Sequence, residues 1–179
     1  MLKSYAKCHA ILMLCCLVAV TTGALRYGME PAFAQTRPAK GIDWNDVRIK
    51  WHSFEVGLRE AERTRTPMLV LFYADWCPHC AAYSRLFREP DIVALSQSLV
   101  MVKVDRDKSP ELNARYAPDG GYVPRTMVLN ANGSLIASIH GSDPNYRYFL
   151  YYETKKDLLA VMKRAASYRV SVGKTPTLQ

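Results

Sequence analysis

The sequence has 179 residues, 49% hydrophobic and 22% charged, the composition of one globular domain with a single core. The net charge is +8, but its basic residues are dispersed: Arg59, Arg63 and Arg65; Lys155 and Lys156; Lys163 and Arg164. No basic stripe interleaved with aromatics occurs, so the charge reads as solvated helix surface and a nucleic-acid partner is excluded.

Residues 1–34 read as an export signal. Lys3 and Lys7 open it, Ala10 to Val20 is an unbroken apolar run that fades to Leu25, and Ala32-Phe33-Ala34 supplies a small-x-small cleavage site before Gln35. The alternative is an uncleaved anchor over residues 10–25, slightly short of the roughly 20 residues a spanning helix needs. Both readings place the domain outside the cytoplasm. Cys15 and Cys16 lie inside the apolar run, which argues against a lipoprotein site. Cleavage removes Cys8, Cys15 and Cys16 together with Lys3, Lys7, Arg26 and Glu30, so the charge falls from +8 to +6. Of the five cysteines, only Cys77 and Cys80 remain. A bridge between them closes a tiny loop and constrains the unfolded chain little, so the pair is better explained by chemistry than by stability.

Residues 35–43 form a polar linker, 44–169 the domain and 170–179 a flexible tail. Val47 to Trp51 reads as a first strand. Ser53 is an N-cap, with Phe54, Leu58 and Ala61 on one face of the helix it opens. Met68 to Ala74 is seven consecutive apolar residues, which predicts a central strand buried on both faces. A helix starts from Cys77, carried by Ala81, Ala82, Leu86 and Phe87, and Pro90 kinks or breaks it before Ile92 and Leu95. Leu99 to Val104 is a further strand. Ser109-Pro110-Glu111 is an N-cap with proline at the first helical position. Thr126 to Leu129 and Leu135 to Ile139 read as a hairpin across Asn130-Ala131-Asn132-Gly133, adding an antiparallel edge. Leu158, Met162 and Ala165 mark a last helix. The alternation predicts an α/β fold, with a central mixed sheet flanked by helices on both faces.

The residues Phe72-Tyr73-Ala74-Asp75-Trp76-Cys77-Pro78-His79-Cys80, with Val123-Pro124-Arg125-Thr126 further on, resemble the thioredoxin superfamily, over roughly Trp44 to Tyr168. Pro118-Asp119-Gly120-Gly121-Tyr122-Val123-Pro124-Arg125, with Asn145-Tyr146-Arg147-Tyr148-Phe149, is similar to the small endoplasmic-reticulum thioredoxin-domain proteins of the anterior-gradient group. That group includes oxidoreductases with both cysteines and relatives that have lost one. The chain ends Thr175-Pro176-Thr177-Leu178-Gln179, without a Lys-Asp-Glu-Leu-like retention signal, so an exported bacterial relative in the periplasm is expected.

A thiol attacks disulfides only as the thiolate. Cys77 lies at a helix N-terminus, where orphan N–H groups favour negative charge, so it is expected to be the more acidic thiol and the exposed nucleophile. His79 adds a donor or a positive charge. Cys80, one turn inward, resolves mixed disulfides. Pro78 holds the first turn without wasting an N–H. Trp76 and Tyr73 are expected to offer apolar surface to a client. The resemblance implies that Pro124 is the family's cis-proline, with the backbone of Val123 pairing to an extended substrate segment. It also implies a departure. Thioredoxins bury an acid beneath the cysteines, and here that position is Leu71. Lys103 on the next strand is expected to lack its partner, leaving the base that deprotonates Cys80 missing or replaced by water. Asp75 reads as a surface residue.

The Pro78-His79 dipeptide resembles that of periplasmic disulfide oxidases. Those carry a helical insert, for which the 43 residues between Cys80 and Pro124 leave no room. The implied function is thiol-disulfide exchange on protein cysteines, with cysteine-containing clients and a redox partner that recharges the pair. No cofactor is implied, and a monomer is expected. A metal site is the first rival, but Cys77 and Cys80 make only half of one, and His52 and His140 are remote in sequence. Haem attachment requires His directly after Cys80, where Ala81 stands. The second rival is a client-binding module without catalysis, which leaves the spacing of the two cysteines unexplained.

Overall fold

The computed structural model describes residues 41–150 and 155–172. The signal, its cleavage site and the end of the tail lie outside the described residues.

The chain builds strand β1 (Trp51–His52), helix α1 (Phe54–Thr64), strand β2 (Met68–Tyr73) and helix α2 (Pro78–Tyr83). A 3-10 segment over Ser84–Arg88 leads into helix α3 (Pro90–Ser96). Strand β3 (Val100–Asp105), helix α4 (Pro110–Arg115), strand β4 (Arg125–Leu129) and helix α5 (Lys156–Val172) follow. The sheet order is β1-β3-β2-β4, with β3 parallel to β1 and β2, and β4 antiparallel to β2.

The apolar run in β2 explains the layering. Leu69 and Leu71 point into a core shared with Cys80 and Tyr83 of α2, Ile92 of α3 and Leu158 and Met162 of α5. Met68, Val70 and Phe72 point into a second core with Phe54 and Ala61 of α1 and Met127 of β4. Helices therefore cover both faces, as the unbroken run predicts. On α1, Gly57 lies so close to β3 that a Cβ there would stand 2.3 Å from a Val102 methyl. Ser53 caps α1, its Oγ accepting the Val56 N–H at 3.5 Å.

Four local expectations are corrected. Val47 to Ile49 is not strand: Asn45 takes φ 61°, and the Arg48 and Ile49 N–H groups close a turn onto its carbonyl. That turn buries Trp44 and Ile49 and leaves Val47 97% exposed. Ile42 already packs on the core, inside the segment expected to be linker. Ser109 makes no side-chain cap, although Pro110 does open α4. The expected hairpin forms its turn, with Gly133 at φ 81°, but its second strand shrinks to a single bridge, Leu129 to Leu135. The chain then bends, the Ile139 N–H bonding to the Ile136 carbonyl, so both side chains enter the core. Three residues apart on a strand they would face opposite sides.

The open flank of β4 is closed by other means. Its Thr126 N–H donates to the Tyr148 carbonyl at 2.8 Å, and its Val128 carbonyl accepts the Ile136 N–H at 2.9 Å. The start of α5 is tied to α3 by Lys155, which bridges Glu89 and Asp91.

Candidate active site

The two cysteines sit at the carboxyl end of the central strand. Cys77 is the N-cap of α2, with extended backbone at φ −83° and ψ 114°. Its Sγ accepts the Cys80 N–H at 3.3 Å, so one of the helix's orphan donors is aimed at the sulfur. Pro78 occupies the first helical turn, where no N–H is needed. Both thiols are free in this state. Cys77 keeps 3% of its surface and Cys80 none, so the exposure expected of Cys77 is corrected: its sulfur is covered between the Cys80 N–H and the Val123 carbonyl. Across the site the Val123–Pro124 peptide is cis, and the Cys77 thiol reaches the Val123 carbonyl at 3.6 Å. His79 is exposed on the second helical position. Trp76 is 66% exposed, and its indole N–H donates to Asp107 at 2.6 Å. Tyr73 turns inward instead, half-buried with its ring edge-on to Trp44 at 5.4 Å, so Trp76 supplies most of the apolar surface expected from the two.

Burial pushes the Cys80 thiol well above the ordinary thiol range. Its contact with Cys77 adds to this, while a backbone bond from Ala74 and the charge of Arg106 pull the other way. Cys80 therefore keeps its proton in the folded protein above the pH at which an ordinary thiol releases it. The sign of the stability effect follows. Above about pH 8.5 the unfolded chain releases this proton and the folded chain keeps it, so the unfolded state binds fewer protons and stability falls as pH rises. The melting temperature of the reduced protein is expected to decline from about pH 8.5 upward, more steeply than that of Cys80→Ser. Thermal scans of both between pH 7 and 10 check this, and parallel slopes contradict it.

Residues 50–131 match the Thioredoxin-like family model. The fold is the thioredoxin fold. The chain is 28% identical over 117 residues to Anterior gradient protein 2 homolog of Pongo abelii, a match spanning 65% of each chain. It is 25% identical over 157 residues to Anterior gradient protein 1 of Xenopus tropicalis, covering 85% of this chain and 82% of that protein. The solution structure of a thioredoxin from Thermus thermophilus superposes with a TM-score of 0.52 at 17% identity, covering 71% of this chain and 94% of that one. The thioredoxin fold and the anterior-gradient resemblance expected from the motifs are thus both found.

The thioredoxin-like site departs from expectation beneath the cysteines. Leu71 is there and wholly buried, but Lys103, opposite it in the β2–β3 register, is not alone. Its ammonium pairs with Asp46, a carboxylate delivered by the turn before β1. The Arg106 guanidinium acts weakly in favour of a Cys80 thiolate, but it accepts no proton. Asp75 is on the surface, where it accepts the Ile42 N–H.

The two segments similar to the anterior-gradient group meet in one network. The Asp119 carboxylate accepts from the Tyr122 hydroxyl at 2.7 Å and from the Arg147 N–H at 2.8 Å. The Tyr122 hydroxyl in turn accepts the Tyr148 N–H at 3.1 Å. Arg106 donates to the Gly121 carbonyl at 2.8 Å. The loop that carries Val123 is thereby held from both sides. Asp119 and Tyr122 stand within the first motif, where the sequence alone gives them no role, and Arg106 lies in neither motif and carries no sequence signal. Among the described residues no three or more His, Cys, Asp or Glu side chains gather into a metal-binding group. Among them, too, no helix is long and apolar enough to cross a membrane.

Proposed function

We propose that this protein is a thiol-disulfide oxidoreductase that acts on protein cysteines through the Cys77–Cys80 couple, after export to the cell envelope. The observation that carries the reading is the Cys77 sulfur: it caps a helix, receives the Cys80 N–H, and faces the Val123 carbonyl across the site. The Cys77 thiolate attacks one sulfur of a client disulfide and forms a mixed disulfide, and the other client sulfur leaves as thiolate. Cys80 then loses its proton and attacks the Cys77 sulfur. The client's second thiolate departs, and two electrons have passed from the Cys77–Cys80 dithiol to the client. The reverse sequence oxidises a client dithiol. Which direction runs is set by the redox partner that recharges the pair. Trp76 offers apolar surface, and the Val123 backbone offers a pairing edge to an extended client segment. Export rests on the signal pattern of residues 1–34.

The test is exchange with a fluorescent peptide disulfide by the purified protein. Cleavage that is lost in Cys77→Ala supports the reading. Cleavage at the same rate in Cys77→Ala, or binding of unfolded chains without exchange, favours a client-binding module instead.

A further inference from the structure

Arg125 opens β4 directly after Pro124, pairs with Phe72 in the β2 register, and is wholly buried. A guanidinium removed from water is costly unless its donors are met. Its hydrogen bonds all run to neutral oxygens: Gly120 O at 3.1 Å, Tyr122 O at 2.8 Å, Asn113 O at 3.1 Å and Asn113 Oδ1 at 2.8 Å. The Phe72 ring lies 4.6 Å beneath it and the Tyr122 ring 5.8 Å away. Nε is buried without a partner. A residue whose task was only to fill this core would be apolar and would avoid that cost.

The arrangement of the bonds indicates the task. Nη1 holds two carbonyls of the loop over residues 118–124, and Nη2 holds Asn113 on α4. The fork therefore pins the loop to a helix. One of the pinned carbonyls belongs to Tyr122, immediately before Val123, whose own carbonyl lies 3.6 Å from the Cys77 sulfur.

We propose that Arg125 is a positioning residue for disulfide exchange, its buried guanidinium fixing the 118–124 loop so that the Val123 backbone stays aligned with Cys77 when an extended client segment docks. The proposal rests on the oxidoreductase reading above. Arg125 touches neither sulfur and acts through Val123. A lysine keeps the charge but lacks the planar fork, so it cannot hold the loop and Asn113 at once.

The experiment compares two substrates: a peptide disulfide long enough to pair with Val123, and hydroxyethyl disulfide, too small to use the loop. In Arg125→Lys, peptide exchange is expected to fall by about 10-fold or more, the scale of a sub-ångström to ångström misplacement. Hydroxyethyl disulfide exchange and iodoacetamide labelling of Cys77 are expected to change by less than about 3-fold, because neither needs the loop. Asn113→Ala, which removes one acceptor, is expected to lower peptide exchange selectively by a smaller factor. Equal losses on both substrates, or unchanged peptide exchange in folded Arg125→Lys, overturn the proposal. If Arg125→Lys does not fold, Asn113→Ala decides alone, and unchanged peptide exchange there overturns it. If the unaltered protein shows no Cys77-dependent exchange with either disulfide, the oxidoreductase reading itself fails and takes this proposal with it.

Discussion

Replacing Cys80 by serine is expected to turn the protein into a trap for its clients. The Cys77 sulfur is left in place, at the helix cap, so the first attack still occurs. The second attack has no thiol to make it. In the unaltered protein the resolving sulfur is held one helical turn away, with its backbone N–H 3.3 Å from the Cys77 sulfur. A group held in this way reacts far faster than a free thiol at cellular concentration, so mixed disulfides should persist on the order of 100-fold longer in Cys80→Ser. Non-reducing gels of the variant from its native host should show adducts that vanish with reductant and are absent from Cys77→Ala/Cys80→Ser. Adducts formed equally without Cys77 would contradict the assignment of nucleophile and resolving thiol.

Trp44→Ala is expected to produce the largest loss of stability. Trp44 is 1% exposed and meets the rings of Tyr73, Tyr83 and Phe87 edge-on at 5.4, 6.4 and 5.7 Å. Its carbonyl also accepts the Trp51 indole N–H at 2.8 Å. Truncation opens a cavity among side chains that cannot all collapse, at a cost of about 3–5 kcal/mol. A domain of ordinary stability has only about 5–15 kcal/mol in total. Val47→Ala, three residues on, is the internal control: Val47 is 97% exposed and its loss should stay within about 0.5 kcal/mol. Urea midpoints of the two variants check this, and similar midpoints would contradict the core assignment. Because Tyr73 leads into the Cys-x-x-Cys loop, the variant should also exchange disulfides more slowly at temperatures where it remains folded.

The sequence carried the layered sheet clearly where one physical signal dominated. Met68 to Ala74 has no alternation because both of its faces are covered, and Ser53 is followed by a helix because its hydroxyl meets a backbone donor. It misled where two signals competed. Leu135 to Ile139 has the β-propensity of a strand, yet a turn buries Ile136 and Ile139 together, which the period of a strand forbids. Val47 has the same propensity, but Asn45 in the left-handed region turns the chain there. At the site, Cys77, Cys80, Pro78 and Pro124 were legible because their spacing is short or their residue type is distinctive. Asp46 was not, since its partner Lys103 lies on a distant strand and only folding brings them together. Arg125 was quoted within a motif but left without a role. An arginine defaults to the surface in any reading by composition, and its burial depends on carbonyls from Asn113, Gly120 and Tyr122. The departure at Leu71 was legible, but the pairing of Lys103 was not, because Asp46 reaches it from the turn before β1.

The central claim is that Cys77 and Cys80 form a working dithiol-disulfide couple, and a redox titration tests it most directly. The protein is equilibrated across a glutathione series, quenched with acid, and its free thiols are counted by mass after alkylation. The expected result is a single two-electron transition between all-reduced and Cys77–Cys80 disulfide, with a midpoint between about −270 mV and about −120 mV. Two thiols that stay free at every poise, or a midpoint unmoved from that of an unstructured dithiol peptide, would contradict the claim.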